Sequence, residues 1–207
     1  MGIAQRKNRA QEDLRRRILA AAEKLFVREG YENVTMRKIA ARIEYSPTTI
    51  YHHFADKGQL FACLLESYHA RLLARIREIH GRGEDPITEL KLGMRAYTDF
   101  GLANPSYYKL AFMSPPEFKA GAYLTEGSTG TELFQSLRSS AERCIRLGLF
   151  RPMDAGFTAQ VLWIMNHGVT SLLISNPNFP WADREALIDA VIDGAIDGLR
   201  VGRGARR

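Results

Sequence analysis

A chain of 207 residues, 45% of them hydrophobic and 25% charged, is long enough to bury a core and has the composition of an ordinary globular protein. Its two cysteines lie far apart, which argues against a disulfide scaffold and favours a reducing compartment, so we expect a cytoplasmic protein. Most of the formal net charge of +6 lies near the start, because residues 1–60 contain 12 Lys and Arg against 7 Asp and Glu. Such a distribution indicates either a polyanionic partner or a solubilising surface.

Four helices are predicted in the first third of the chain. The first carries its apolar residues on one helical face. Thr35 can cap the second helix, and Ser46 followed by Pro47 is a strong start signal for the third, because proline loses no hydrogen bond at the first helical position. Asp56 begins a long fourth helix that ends near His80.

The same helix punctuation continues in the rest of the chain. Asp85 and Asn104 each precede a proline, and two last helices are predicted at about 154–175 and 182–200. Strand signals are scarce throughout. The sequence therefore predicts an all-α fold of about nine helices.

One long stretch lacks charge. From Ala155 to Ala182 there is no Asp, Glu, Lys or Arg. Gln160, Asn166 and His167 nevertheless make it too polar for a membrane span of about 20 apolar residues. We expect a helix that is buried on most sides within protein, and no membrane partner.

Residues 35–54 predict a helix-turn-helix. A helix of about nine residues leads through the turn Glu44–Ser46 to a second short helix. The apolar residues expected to hold this pair together are Ile39, Ala40, Ile43, Ile50 and Phe54. Small hydroxyl and imidazole side chains are expected on or near the outer face of the second helix, where such groups can reach base edges in a major groove: Thr48, Thr49, His52 and His53.

This segment resembles the DNA-binding domain of the TetR family of bacterial regulators. The residues that carry the resemblance are Thr35, Ile39, Ala40, Ser46, Tyr51, Phe54 and Lys57. The resemblance covers about residues 12–65. It implies a DNA-binding domain at residues 10–57 and a ligand-binding and dimerisation domain at residues 58–202.

The resemblance also assigns roles to individual side chains. It implies that Pro47, Thr48, Thr49 and His52 face the bases of double-stranded operator DNA. Tyr51, His53 and Lys57 take the phosphate-facing places, and the predicted set is completed by Thr35, Arg37 and Ser46. Glu44 departs from the family pattern, which usually has glycine in this turn. A residue other than glycine forced to positive φ there costs about 1 kcal/mol, so either the turn differs or the protein tolerates strain.

The rest of the chain has no signature of catalysis, of a metal site or of a cofactor. It is rich in apolar and aromatic residues, which either form the core or line a cavity for a small molecule. Trp163, His167 and Gly168 resemble the signature of one TetR C-terminal subgroup. The predicted ligand contacts are Phe100, Tyr108, Phe112, Trp163, Asn166 and His167.

The last two helices are predicted to pair with their mates in a homodimer. Apolar residues follow one side of the final helix, and symmetric pairing would let two recognition helices reach two half-sites. We expect a repressor that a small, largely apolar effector releases from a palindromic operator. The alternatives are an activator or ligand-independent regulator of the same fold, or a binding module for a hydrophobic molecule or protein.

Overall fold

The computed structural model describes residues 3–113 and 127–201. Within these ranges the chain forms nine α-helices and no β-strand, which confirms the predicted all-α fold. The helices are α1 (Ile3–Glu29), α2 (Met36–Arg42), α3 (Pro47–Tyr51), α4 (Lys57–His80), α5 (Pro86–Ala103), α6 (Pro105–Met113), α7 (Thr129–Arg146), α8 (Ala155–Ser175) and α9 (Arg184–Asp197).

The described residues form two compact units. The first contains residues 3–67 and 110–113, and the second contains residues 68–109 and 127–201. The division therefore falls inside α4 and again inside α6. The functional boundary after residue 57 stays a prediction, and it coincides with the first residue of α4.

Short-range capping explains where several helices begin. The Thr35 hydroxyl accepts a hydrogen bond from the Lys38 backbone N–H at 3.2 Å, and Ser46 Oγ accepts one from Thr49 N–H at 3.2 Å. Asp85, Asp154 and Asp183 cap α5, α8 and α9 in the same way. Each cap satisfies a backbone donor that the first turn leaves without an intrahelical partner.

The first unit is built around the second half of α1. Ile18, Ala22 and Phe26 of that helix are almost fully buried, as are Ile39 of α2 and Ile50 of α3. An aromatic cluster completes this core, because the ring centroids of Phe26, Tyr31 and Phe61 lie 5.2–5.8 Å apart. The sequence places this apolar face correctly, and α1 begins at Ile3, ahead of residue 10, where the DNA-binding domain was predicted to begin.

The second unit packs α5, α7, α8 and α9 around one core. Leu162 of α8 and Ile188 and Ile196 of α9 are fully buried there, together with Cys144 and Phe150. Burial raises the pKa of the Cys144 thiol to about 11, so this cysteine stays protonated at neutral pH. An isolated antiparallel bridge pairs Phe150 with Arg200 after α9 has ended.

Helix α8 has one open side that the sequence did not predict. Helix α8 is long and apolar enough to cross a membrane, because an 18-residue stretch of it has a mean hydropathy of 1.2. Within the described residues, 44% of that stretch is buried. Phe157, Ile164, Met165 and Leu172 are nevertheless 43–65% exposed, so one side of this helix is open. The four exposed residues follow one stripe of α8, because their spacing matches the helical repeat. We call them the apolar stripe.

Candidate nucleic-acid interface

The helix-turn-helix has a fully apolar inner face. Ile39 and Ala40 of α2 and Ile50 of α3 have no exposed surface, and Phe54 is only 1% exposed. Because α3 has only five residues, its position depends on this contact and on the Ser46 cap rather than on its own helical propensity. The core residues predicted for this motif are confirmed.

The outer face of α3 is polar and open. Pro47, Thr48, Tyr51 and His52 are exposed, and Tyr51 is 54% exposed although it is aromatic. The exposed hydroxyl and imidazole groups of this face are of the types that reach base edges and phosphates of DNA. This face is therefore the candidate surface for reading DNA.

Two other predicted contacts, Thr49 and His53, are less open. The Thr49 hydroxyl lies 2.9 Å from Ser46 Oγ, so it takes part in the cap of its own helix. The side chain of His53 is half-buried. Thr35 and Arg37 are exposed at the start of α2, where the family resemblance places phosphate contacts.

Lys57 is held against Tyr31. Its ammonium donates to the Tyr31 backbone carbonyl at 2.9 Å and lies 4.0 Å from the centroid of the Tyr31 ring. Partial burial lowers the pKa of Lys57, and burial together with the charges of Asp56 and Glu32 raises the pKa of Tyr31 to about 12. An ammonium has three donors, so this arrangement leaves donors that a phosphate could accept from.

Two arginines of α1 fasten that helix to the motif. Arg15 donates to the His53 backbone carbonyl at 3.2 Å and its guanidinium lies 4.3 Å from the Phe54 ring centroid. Arg17 lies 3.5 Å from both the Ile43 carbonyl and the Tyr45 hydroxyl. Sequence reasoning missed both contacts, because an arginine run at positions 15–17 does not reveal which distant carbonyls it will reach.

The turn between α2 and α3 contains the strain that the sequence indicates. Glu44 has φ of +61°, a left-handed conformation that favours glycine. The turn therefore forms although Glu44 adopts a strained backbone conformation.

In the second unit, α5 and α8 together bury a polar group of three residues, Thr98 from α5 and Asn166 and Thr170 from α8. Thr98 Oγ1 lies 3.0 Å from Asn166 Oδ1 and 3.1 Å from Thr170 Oγ1, and Asn166 Nδ2 donates to the Met94 carbonyl at 2.9 Å. Both ends of the Asn166 amide thus have partners within the protein. We call Thr98, Asn166 and Thr170 the polar layer.

A second cluster joins two tyrosines to His167. Tyr108 Oη lies 2.5 Å and Tyr97 Oη 3.2 Å from His167 Nδ1, and the two hydroxyls are 3.3 Å apart. Burial raises the pKa of both tyrosines, so both remain neutral phenols at physiological pH. The Trp163 ring lies 6.1 Å from the His167 ring. We call Tyr97, Tyr108 and His167 the phenol–imidazole cluster.

The predicted ligand contacts are therefore only partly brought together. Tyr108, Trp163 and His167 lie in or beside one cluster, whereas the Phe100 ring packs against the Tyr68 ring in a tilted arrangement, with ring centroids 4.4 Å apart. Phe112 belongs to the first compact unit. Among the described residues, no group of three or more His, Cys, Asp or Glu side chains is placed to hold a metal ion.

Two family models account for most of the chain. Residues 18–64 match the bacterial regulatory proteins of the tetR family, and residues 90–195 match the tetracyclin repressor-like C-terminal domain. The chain belongs to the TetR family. Its members are DNA-binding transcriptional regulators, and the exposed face of α3 lies within the matched DNA-binding domain.

Individual TetR-family relatives agree along nearly the whole chain. The HTH-type transcriptional activator FasR of Mycolicibacterium smegmatis is 25% identical over 198 residues, which cover 95% of this chain and 84% of FasR. A solved structure from Rhodococcus sp. RHA1 superposes with a TM-score of 0.75 at 24% identity, covering 91% of this chain and 96% of that one. SmeT, the repressor of the Stenotrophomonas maltophilia multidrug efflux pump SmeDEF, superposes with a TM-score of 0.68 at 22% identity, covering 91% of both chains.

Proposed function

We propose that this TetR-family regulator is a homodimeric repressor that a small, largely apolar effector releases from a palindromic operator. The observation that carries the proposal is the outer face of α3, where Thr48, Tyr51 and His52 are exposed above a fully buried Ile50. In this scheme Thr48 and His52 read base edges, and Tyr51, with Lys57 and Thr35, contacts phosphates.

The apolar stripe of α8 supports dimerisation. Ile164 is 65% exposed, and Gly168 in the same helix has open space where a side chain would stand. Gly194 of α9 is equally open. Exposed apolar residues beside open glycines favour close approach of another helix, and the stripe and α9 together would form the symmetric interface. Such a dimer can present two α3 helices to half-sites about 34 Å apart, one turn of DNA.

The phenol–imidazole cluster supports effector binding in the second unit. It supplies hydroxyl and imidazole groups among otherwise apolar side chains, which is the composition of small-molecule sites. We propose an effector with an apolar body and one hydrogen-bonding group that exchanges contacts with Tyr108 and His167. Release then requires that the effector bind the DNA-incompetent conformation more tightly than the competent one.

Fluorescence anisotropy against DNA from upstream of the protein's own gene tests the proposal. We expect saturable binding near 10⁻⁸ M with two protomers per site. His52→Ala should change the preferred sequence, whereas Tyr51→Phe should weaken binding to every sequence. If both variants weaken all sequences equally, α3 does not read bases in the proposed way.

A second candidate, an activator, is favoured by one observation. FasR is named an activator and matches 95% of this chain. Transcription in vitro from a promoter that carries the operator separates the two: added protein lowers transcript if it represses and raises it if it activates. An effector that binds the protein but leaves its affinity for the operator unchanged would contradict ligand release, whether the protein represses or activates.

A further inference from the structure

The positive charge of the chain is concentrated in front of the matched DNA-binding domain. Residues 1–17 contain six Lys and Arg against two Asp and Glu, a net charge of +4, residues 18–201 contain 20 against 21, and residues 202–207 add three arginines. The family match begins only at residue 18. The part of the chain that matches the family is thus close to neutral, and the segment before it is strongly basic.

This basic segment is an ordered continuation of α1. The helix begins at Ile3, and every residue from Gln5 to Asp13 is exposed. At about 1.5 Å per residue, the part from Ile3 to Asp13 is about 15 Å long. We call residues 3–17 the basic extension.

The C-terminal end of the basic extension is fastened to the helix-turn-helix. Arg15 reaches the carbonyl of His53, directly after α3, and Arg17 reaches the carbonyl of Ile43, directly after α2. Both contacts join the root of the extension to the two helices of the helix-turn-helix.

Three of its cations are available for a partner. Arg16 is paired with Asp13, but Arg6, Lys7 and Arg9 have no ion-pair or side-chain hydrogen-bond partner among residues 3–113 and 127–201. Arg6 and Arg9 share one face of the helix, since they are three residues apart. The extension has no aromatic residue and only scattered apolar ones, so it lacks the apolar face with which a basic helix inserts into a membrane surface.

Resting on the proposed reading of DNA by α3, we propose that the basic extension is a second DNA-binding element, in which Arg6, Lys7 and Arg9 contact the phosphates of duplex DNA next to the base pairs read by α3. Its contribution is independent of sequence and depends on salt, because each neutralised phosphate releases condensed counterions. The extension therefore lengthens the protected segment of DNA and leaves the sequence preference to α3.

The test uses the full-length protein and a duplex of random sequence. The variant is Arg6→Gln with Lys7→Gln and Arg9→Gln, and the matched control is Arg82→Gln with Arg138→Gln and Arg146→Gln, three exposed arginines of the second unit. Both variants lose the same charge. We expect the first to bind about 10- to 100-fold more weakly near 0.1 M salt, with a slope of log K against log salt reduced by about 2–3 per protomer. The control should bind within about twofold of the wild type.

A footprint on the operator, once selected from genomic DNA, separates this element from α3. The extension variant should lose protection at the outer edges of the footprint and keep its centre, with the same preferred sequence. Equal losses in the two variants, or an unchanged salt slope in the first, would overturn the proposal. The proposal would also be overturned if the extension variant bound DNA normally but no longer bound phosphatidylserine vesicles. That result would show that Arg6, Lys7 and Arg9 contact a membrane instead of DNA.

Discussion

Helices α3 and α8 expose side chains of opposite character. α3 turns Thr48, Tyr51 and His52 outward and buries Ile50, whereas α8 turns Phe157, Ile164 and Leu172 outward and buries Asn166 and Thr170. A polar outer face suits a hydrated, charged partner such as DNA. An apolar outer face suits a protein partner that removes it from water.

The difference shows why hydrophobicity alone does not assign a helix to the core. α8 contains no charged residue, yet its most apolar stripe is open and its polar layer is inside. The polar layer is stable because its members are hydrogen-bonded to one another and to the backbone of α5. We therefore expect changes to the two faces of α8 to have separable effects, one on assembly and the other on folding.

The largest effect is expected at the apolar stripe. Ile164→Asp places a carboxylate in the proposed interface, where burial would leave it without a partner, so we expect the dimer Kd to rise at least about 100-fold. Sedimentation velocity measures the shift to monomer. Leu147→Asp is the control, because Leu147 is 55% exposed but lies at the end of α7, away from the stripe. A dimer that tolerates Ile164→Asp as well as the control would place the interface elsewhere.

The next effect concerns the polar layer. Asn166→Ala removes the hydrogen bonds to Thr98 and to the Met94 carbonyl and opens a small cavity, so we expect a loss of about 2–4 kcal/mol in the free energy of unfolding. Urea denaturation measures it. Gln160→Ala on the exposed side of the same helix should change stability by no more than about 0.5 kcal/mol. Similar losses in both variants would show that α8 has no separate folding face.

A pair of glycines in α5 tests how tightly that helix meets the polar layer. A Cβ at Gly101 would stand 2.8 Å from Thr170 Cγ2 and 2.9 Å from a ring carbon of Tyr108, whereas a Cβ at Gly93 meets nothing within 4 Å. We expect Gly101→Ala to destabilise by about 1–3 kcal/mol and Gly93→Ala to stabilise by about 0.5–1 kcal/mol. Thermal unfolding of the two variants gives the sign of each change, and two changes of the same sign would contradict the close approach.

The sequence was sufficient where a feature depends on neighbours along the chain. The caps at Thr35, Ser46 and Asp85 follow from a side chain and a backbone N–H two or three residues away, and the structure has all three. The contacts of Arg15 and the open stripe of α8 depend on residues distant in sequence, which periodicity does not specify.

The smallest effect returns to the turn before α3. Glu44→Gly relieves the positive φ, and we expect a gain of up to about 0.5 kcal/mol after the added freedom of the unfolded chain is counted. Glu44→Ala removes the same carboxylate but keeps the strain, so it should leave stability nearly unchanged. Both variants should bind random-sequence DNA slightly more tightly, because a negative charge near the phosphates is gone. Equal stability of the two variants would show that the turn is not strained.

The bridge between Phe150 and Arg200 has a consequence for how two protomers meet. The Arg151 N–H donates to the Leu199 carbonyl at 2.9 Å and the Val201 N–H to the Leu149 carbonyl at 3.4 Å, so the chain closes on itself around α8 and α9. Both helices of the proposed interface are thereby held at their ends by their own subunit. Assembly then joins two surfaces that are already folded. We expect the association rate constant of rigid docking, about 10⁵–10⁷ M⁻¹ s⁻¹, and no slow folding phase. The rate of assembly is then proportional to the square of the monomer concentration.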